Sequence, residues 1–302
     1  MATSTGEAGS SGSRIYRALT IAGSDSGGGA GIQGDLKTFQ ELGVYGMSVI
    51  TAITAQNSLG VQQAEPVAPA LVAAQLDSVL GDIGADAAKT GMLPTPEAVD
   101  AVAAALTRYG VRRLVVDPVR TAKGGYALAG RHAFEATARR LFPLAELVTP
   151  NIPEAAALLG VTERSLGTVE ARIEAARALL AWGPRYVLLK GGHAGTASCV
   201  DVLVGAAADA DDAAGIYATP SPPLLLEGPR LDAKHTHGTG CALASAACAA
   251  LAKGDGVPAA CRSAKAFVAA AIAGSFPLGA GIGSLKHAAW RYGEAAAADM
   301  RR

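Results

Sequence analysis

The segment Lys234-His235-Thr236-His237-Gly238-Thr239-Gly240-Cys241 runs directly into an alanine-rich, helix-forming stretch, Ala242–Lys253. Two glycines bracket a threonine where the helix should begin, so the loop can turn several backbone N–H groups toward one point. At a helix N-terminus those donors and the helix dipole together favour a bound anion. Cys241 falls in the first turn, and the same field should lower the pKa of its thiol. An anion cradle beside a polarised sulfur suits chemistry on a phosphate. The plainer alternative is a glycine turn before a helix, with Cys241 as a small buried apolar residue.

A second glycine loop, Ser26–Gly34, contains G-x-G-x-x-G at Gly29, Gly31 and Gly34. Dinucleotide binding would also need an acid about 20 residues further on, at the end of the next strand. That strand ends in Thr54-Ala55-Gln56-Asn57, which offers amides instead. No Gly-Lys-Ser/Thr follows, so the Walker pattern fails too. A small-ligand loop fits better, with Asp35 available to accept hydrogen bonds or to act as an ordinary acid near a helix N-terminus.

These loops need a scaffold, and the chain alternates short β-branched runs with longer alanine-rich ones. Ala18–Ala22, Met47–Ala55, Asp86–Met92, Arg113–Val119, Glu146–Pro150 and Arg185–Lys190 read as strands. They are mostly apolar rather than alternating, as expected for strands buried on both faces. Gly31–Leu42, Ala68–Leu80, Thr95–Tyr109, Arg131–Phe142 and Val169–Trp182 read as helices. Right-handed βαβ crossovers and a doubly wound α/β layer follow. Cys199–Val204 and Ile216–Glu227 suggest a strand or hairpin region around a surface loop, Gly205–Gly215, and the chain from Gly240 is mostly helical. Polar clusters close the predicted strands: Gly23-Ser24-Asp25, Gln56-Asn57, Lys89–Met92, Asp117-Pro118, Thr149-Pro150-Asn151 and Lys190–His193. In an open α/β sheet that carboxyl edge is where ligands bind.

Half of the residues are hydrophobic and 17% charged, which supports a sizeable core and excludes global disorder. Lys plus Arg equals Asp plus Glu, with no basic stripe, so neither nucleic acid nor a membrane surface is an expected partner. No apolar run is long enough to span a bilayer. Cys199, Cys241, Cys248 and Cys261 lack metal or disulfide spacing, which suits a reducing, cytoplasmic setting. Met1–Ser13 is rich in Ser, Gly, Thr and Ala and reads as a disordered leader. With no linker between Leu19 and Trp290, one domain is expected over 17–302 after a leader of 1–16.

Several segments together resemble a known family. They are Ala18–Phe39 (ALTIAGSDSGGGAGIQGDLKTF), Ser48–Asn57 (SVITAITAQN), Lys89–Leu93 (KTGML), Val116–Val119 (VDPV), Thr149–Ala155 (TPNIPEA), Leu189–His193 (LKGGH) and His235–Cys241 (HTHGTGC). In this order they resemble the hydroxymethylpyrimidine/phosphomethylpyrimidine kinases of thiamin biosynthesis, within the ribokinase-like superfamily. Ribokinases proper carry aspartate where this chain has Cys241, so the cysteine favours the pyrimidine-kinase and pyridoxal-kinase branch.

The resemblance implies a three-layer α/β/α sandwich with a mostly parallel central sheet. It implies phosphorylation of 4-amino-5-hydroxymethyl-2-methylpyrimidine, and then of its monophosphate, with ATP and Mg²⁺. Gly238, Thr239, Gly240 and the Cys241 N–H would form the anion hole, and the Cys241 side chain would orient the substrate hydroxyl or take its proton. Gln56, Gly23, Ala30, Asp35, Met92 and Val119 would hold the ring. Lys190 would meet the nucleotide phosphates. Asn151 and Glu154, with Asp117, would hold Mg²⁺ through water. A homodimer is the expected assembly. After Val119 the family pattern gives way to Arg120-Thr121, a guanidinium that would favour a phosphorylated substrate or point into solvent. Gly281–His287 matches the family only loosely. A pyridoxal or pyridoxine kinase of the same fold, or a catalytically silent ligand sensor, are the alternatives.

Overall fold

A computed structural model describes residues 14–122, 125–126, 128–192, 198–206, 222–231, 233–291 and 293. The elements run β1 (Arg17–Ser24), α1 (Gly31–Glu41), β2 (Tyr45–Asn57), β3 (Gly60–Pro66), α2 (Pro69–Asp82), β4 (Ala87–Thr90), α3 (Pro96–Arg108) and β5 (Leu114–Val116). They continue α4 (Arg131–Leu141), β6 (Leu147–Val148), α5 (Ile152–Leu159), α6 (Val169–Leu180), β7 (Tyr186–Leu189), β8 (Ser198–Gly205), β9 (Leu224–Pro229), α7 (Thr239–Lys253) and α8 (Val257–Ala273). Proline in the first turn starts α2, α3, α5 and α8, where its missing N–H costs nothing.

One nine-stranded sheet carries them in the order β3-β2-β1-β4-β5-β6-β7-β8-β9. The six strands from β2 to β7 pair in parallel, and β3, β8 and β9 are antiparallel additions at the two edges. Side chains alternate between two apolar layers. Leu19, Ile21, Leu114 and Val116 face the layer holding α2 to α6, while Ala18, Val115 and Leu188 face α7 and α8. Helix α7 is buried on every side from Ala242 to Ala252, and alanine lets it lie close against the sheet. The expected sandwich is therefore present.

The predicted strands and helices in the first two thirds of the chain all form. Two elements escaped the sequence reading. Strand β3 is a polar, exposed edge strand with no apolar signal. Helix α5 is only 8 residues long, and its sign was the Asn151–Glu154 spacing, a capping box in which each side chain accepts the other's backbone N–H at 2.8 Å. The leader boundary also moves. Tyr45 N–H bonds to the Tyr16 carbonyl at 2.8 Å and Arg14 pairs with Asp86 at 3.1 Å, so residues 14–16 belong to the fold. The remainder of the expected leader, the Gly205–Gly215 loop beyond Ala206, and His193 lie outside the described residues.

From β1 the chain crosses first to β2 on one side and later to β4 on the other. That reversal is a topological switch point, where strand ends splay and leave a crevice. The polar strand ends open into it.

Candidate active site

Helix α7 begins at Thr239, with Gly238 as its N-cap in the left-handed region at φ 87°. The N–H groups of Gly238, Gly240 and Cys241 meet no acceptor among the described residues. Thr239 differs: its N–H turns back to the Thr236 carbonyl at 3.4 Å, and its hydroxyl does so at 2.8 Å. Three donors therefore converge at the positive end of a 15-residue helix.

The Ser26–Gly34 glycines have a packing purpose. A Cβ on Gly238 would collide with the Gly29 carbonyl, one on Gly29 would strike the His237 ring, and one on Gly31 would strike the Gly23 carbonyl. The G-x-G-x-x-G spacing thus lets the loop after β1 touch the loop before α7. It serves contact between two loops, as the missing ribose acid already indicated.

Beside the cradle, Lys190 at the end of β7 donates to Asp117 Oδ1 at 2.9 Å, and Thr149 donates to the same oxygen at 3.0 Å. Burial opposes ionisation of Asp117, but the Lys190 and Lys89 ammonium groups outweigh it and hold the carboxyl low. Gly240 faces Lys190 and Asp117 Oδ2, which lie 3.5 and 3.9 Å from where its Cβ would stand. Glu154 is pushed up by burial and by Asp117, against the pull of Lys190. Asn151 lines the cavity, but its Oδ1 caps α5, so it acts first as the clamp that aims Glu154.

Lys89 and Asp35 correct the expectation for the ring pocket. Asp35 is fully buried and does not line the cavity. Its carboxylate accepts from Lys89 Nζ at 2.9 and 3.1 Å, Thr20 Oγ1 at 2.6 Å and Ser245 Oγ at 2.6 Å. A carboxylate so occupied holds Lys89, not a ligand. Lys89 does line the cavity, and its sign was a lysine inside an otherwise apolar strand.

Gly23, Ala30, Gln56, Met92 and Val119 all line the same cavity. Met92 packs where Gly23 has no side chain: a Cβ there would lie 2.8 Å from its sulfur. Two neighbours were not anticipated as site residues. Asp25 accepts the N–H groups of Gly27, Gly29 and Ala30 at 2.8, 3.1 and 2.9 Å, and His237 Nε2 stands 2.8 Å from its Oδ2. Burial alone would raise the Asp25 pKa; the bonds from His237, Ala30 and Gly27 lower it overall. Asp25 belonged to a polar strand end, and His237 to the HTHGTGC segment itself. Arg120, by contrast, stays out of the main cavity. Its guanidinium lies 5.9 Å over the Phe134 ring beside a separate cavity of about 710 Å³.

Cys241 is half-buried on the cavity wall, between cradle and ring pocket. Its pKa does not fall as the helix position suggested. Burial pushes the thiol up to about 11, Asp35 and Asp117 add to that, and Lys89 and the Gly31 N–H do not offset them. Iodoacetamide should therefore modify Cys241 slowly at neutral pH. The rate should climb about tenfold per pH unit as the thiolate fraction grows, levelling only near pH 11. Peptide mass mapping of Cys241 checks this, and a half-maximal rate below pH 8 would contradict it.

Lys89, Asp117, Glu154, Lys190, Gln56 and Cys241 border one cavity of about 990 Å³, which extends to residues of β8 and β9. A sandwich of this topology, with an anion cradle opening α7 above the switch point, defines a ribokinase-like kinase. The model of the phosphomethylpyrimidine kinase family matches residues 25–286, and the chain belongs to that family. The hydroxymethylpyrimidine/phosphomethylpyrimidine kinase of Streptomyces coelicolor is 49% identical over 91% of this chain and 95% of that protein. The pyridoxine kinase of Bacillus subtilis is 41% identical over 92% of this chain and 97% of its own. Among solved structures, an ADP complex of Bacillus subtilis pyridoxal kinase superposes with a TM-score of 0.81. It has 40% identity and covers 92% of this chain and 100% of that one.

Proposed function

We propose that this protein phosphorylates 4-amino-5-hydroxymethyl-2-methylpyrimidine with ATP, and then the monophosphate to the diphosphate, in thiamin biosynthesis. The observation that carries this reading is the lining of one cavity, which combines three unengaged N–H groups at the start of α7 with the Gln56 amide and the Met92 side chain as two distinct walls. One wall suits a phosphoryl group and the other a flat, nitrogenous ring. Membership of the family supplies the substrate class.

In the first step the hydroxymethyl oxygen bonds to the γ-phosphorus as the bond to the β,γ-bridging oxygen breaks, leaving ADP. The N–H groups of Gly238, Gly240 and Cys241 hold the equatorial oxygens, where preorganised donors stabilise developing charge. Lys190 balances charge on the phosphate chain. Cys241, carrying its proton at neutral pH, orients the hydroxyl as a weak acceptor rather than acting as the base. A loose transition state requires little deprotonation of the nucleophile, so the hydroxyl proton leaves late, onto a transferred phosphoryl oxygen.

Mg²⁺ fits the acids present. Asp117 and Glu154 both act on Lys190, and Asp117 helps push the Glu154 carboxyl up; a divalent ion between the two acids would relieve that repulsion. Mg²⁺ keeps its hydration tightly, so the ion would be held largely by water and phosphate. Asp117 and Glu154 would hold that shell, with Asn151 fixing Glu154. The ion would supply charge neutralisation on the transferring phosphates.

We infer further that the chain from Arg14 works as a single cytoplasmic domain and as a homodimer. Four free thiols support the compartment, and no described helix is long and apolar enough to cross a membrane. Exposed Ile53 and Leu59 on the β2–β3 hairpin support pairing. An ADP-release assay with the pyrimidine and with the vitamin B6 vitamers tests the function. Turnover of the pyrimidine and of its monophosphate is expected. Turnover confined to the B6 vitamers would transfer the chain to the pyridoxine-kinase reading that the Bacillus relative supports, and none on any ring would favour a sensor.

A further inference from the structure

Neither Asp25 nor His237 is needed by the phosphoryl-transfer step above, yet the two join the walls of the cavity. Asp25 gathers three N–H groups of the loop after β1, and His237 belongs to the loop that opens α7. Their 2.8 Å contact is the polar link between those loops, reinforced by the glycine contacts at Gly29 and Gly238.

Proton accounting extends the link to Gln56. An ionised Asp25 only accepts, so His237 Nε2 carries its hydrogen and donates it to Oδ2. One end of the Gln56 amide lies 3.3 Å from that same Nε2, where a second donor would find no lone pair. The other end lies 3.3 Å from Thr54 Oγ1, whose single proton goes to the Ser24 carbonyl at 2.8 Å. Both neighbours make the same demand: amide oxygen toward His237, amide nitrogen toward Thr54. Turning the amide plane over meets it with no other movement. So oriented, Gln56 shows the cavity one carbonyl lone pair and one N–H, a pair complementary to an amino group beside a ring nitrogen.

We propose that the Asp25–His237 pair is a positioning latch that locks the Gln56 amide in this orientation and thereby selects a 4-amino ring. The inference rests on the kinase reading above. His237 touches neither reacting atom, so it acts through Gln56. Without it only the 3.3 Å contact with Thr54 favours that orientation, so the amide turns more readily and presents either face.

The test compares kcat/KM for the 4-amino pyrimidine with that for its 4-desamino analogue, in wild type, His237→Ala and His237→Gln. Wild type should prefer the amino ring by roughly 10- to 100-fold, the effect of one paired rather than unpaired buried group. In His237→Ala the preference should shrink to about threefold or less, chiefly through KM for the amino ring. His237→Gln, whose amide N–H can still reach Asp25, should restore most of it. Should the alanine variant unfold, His237→Asn, too short to reach Asp25, should lose the preference in the same way. Equal losses on both rings with the preference intact would overturn the latch and leave a purely structural contact. Wild-type inactivity on both rings would overturn the kinase reading first, before any variant is compared.

Discussion

Replacing Lys89 with methionine should destabilise the protein by about 3–5 kcal/mol, the cost of stranding a buried charge. Asp35 is fully buried, and its other partners, Thr20 and Ser245, are neutral hydroxyls that cannot replace an ammonium. Burial would by itself discharge Lys89; Asp35, with lesser help from Asp117, reverses this and raises its pKa. Urea unfolding at pH 7 reads the loss. A double variant, Asp35→Leu with Lys89→Met, should recover much of it, because removing both charges also removes their desolvation cost. A single-variant loss below about 1 kcal/mol would mean that the pair is far more hydrated than its geometry implies.

Substituting alanine for Gly238 should lower kcat by about 100- to 1,000-fold, the loss that follows removal of one oxyanion donor. Two causes act together. The residue sits at φ 87°, which costs a non-glycine residue about 1–3 kcal/mol. Its Cβ would also overlap the Gly29 carbonyl and push the cradle away from the loop after β1. Gly238→Asn separates the causes. Asparagine tolerates left-handed backbone but carries the same Cβ, so it should fail almost as badly. Recovery with asparagine would show that strain alone was at issue.

Much of this was legible in the residues. Buried parallel strands advertise themselves as runs such as Arg113–Val119, and the polar clusters that end them converge on one edge because all six parallel strands point the same way. The turn at Gly238–Cys241 was readable because glycines directly before an alanine-rich run mark a helix start, although the same pattern also fits a plain turn. Three features were not readable, each for a physical reason. Asp35 looked like a ligand because a sequence does not reveal that Lys89, fifty-four residues away, consumes its carboxylate. Asn151 and Glu154 looked first like a metal pair; their three-residue spacing also closes a capping box, and both uses need the same residues. The Cys241 thiol was assigned a lowered pKa from the helix field alone, whereas burial, invisible in the local sequence, prevails.

A crystal structure with ADP, aluminium fluoride and the aminopyrimidine tests directly whether the α7 amides hold the transferring group. A planar fluoride should lie within hydrogen-bond distance of the Gly238, Gly240 and Cys241 N–H groups. The hydroxymethyl oxygen should stand in line opposite ADP and beside the Cys241 sulfur. Fluoride bound away from those amides, or a ring seated far from Gln56 while the enzyme is active, would contradict it.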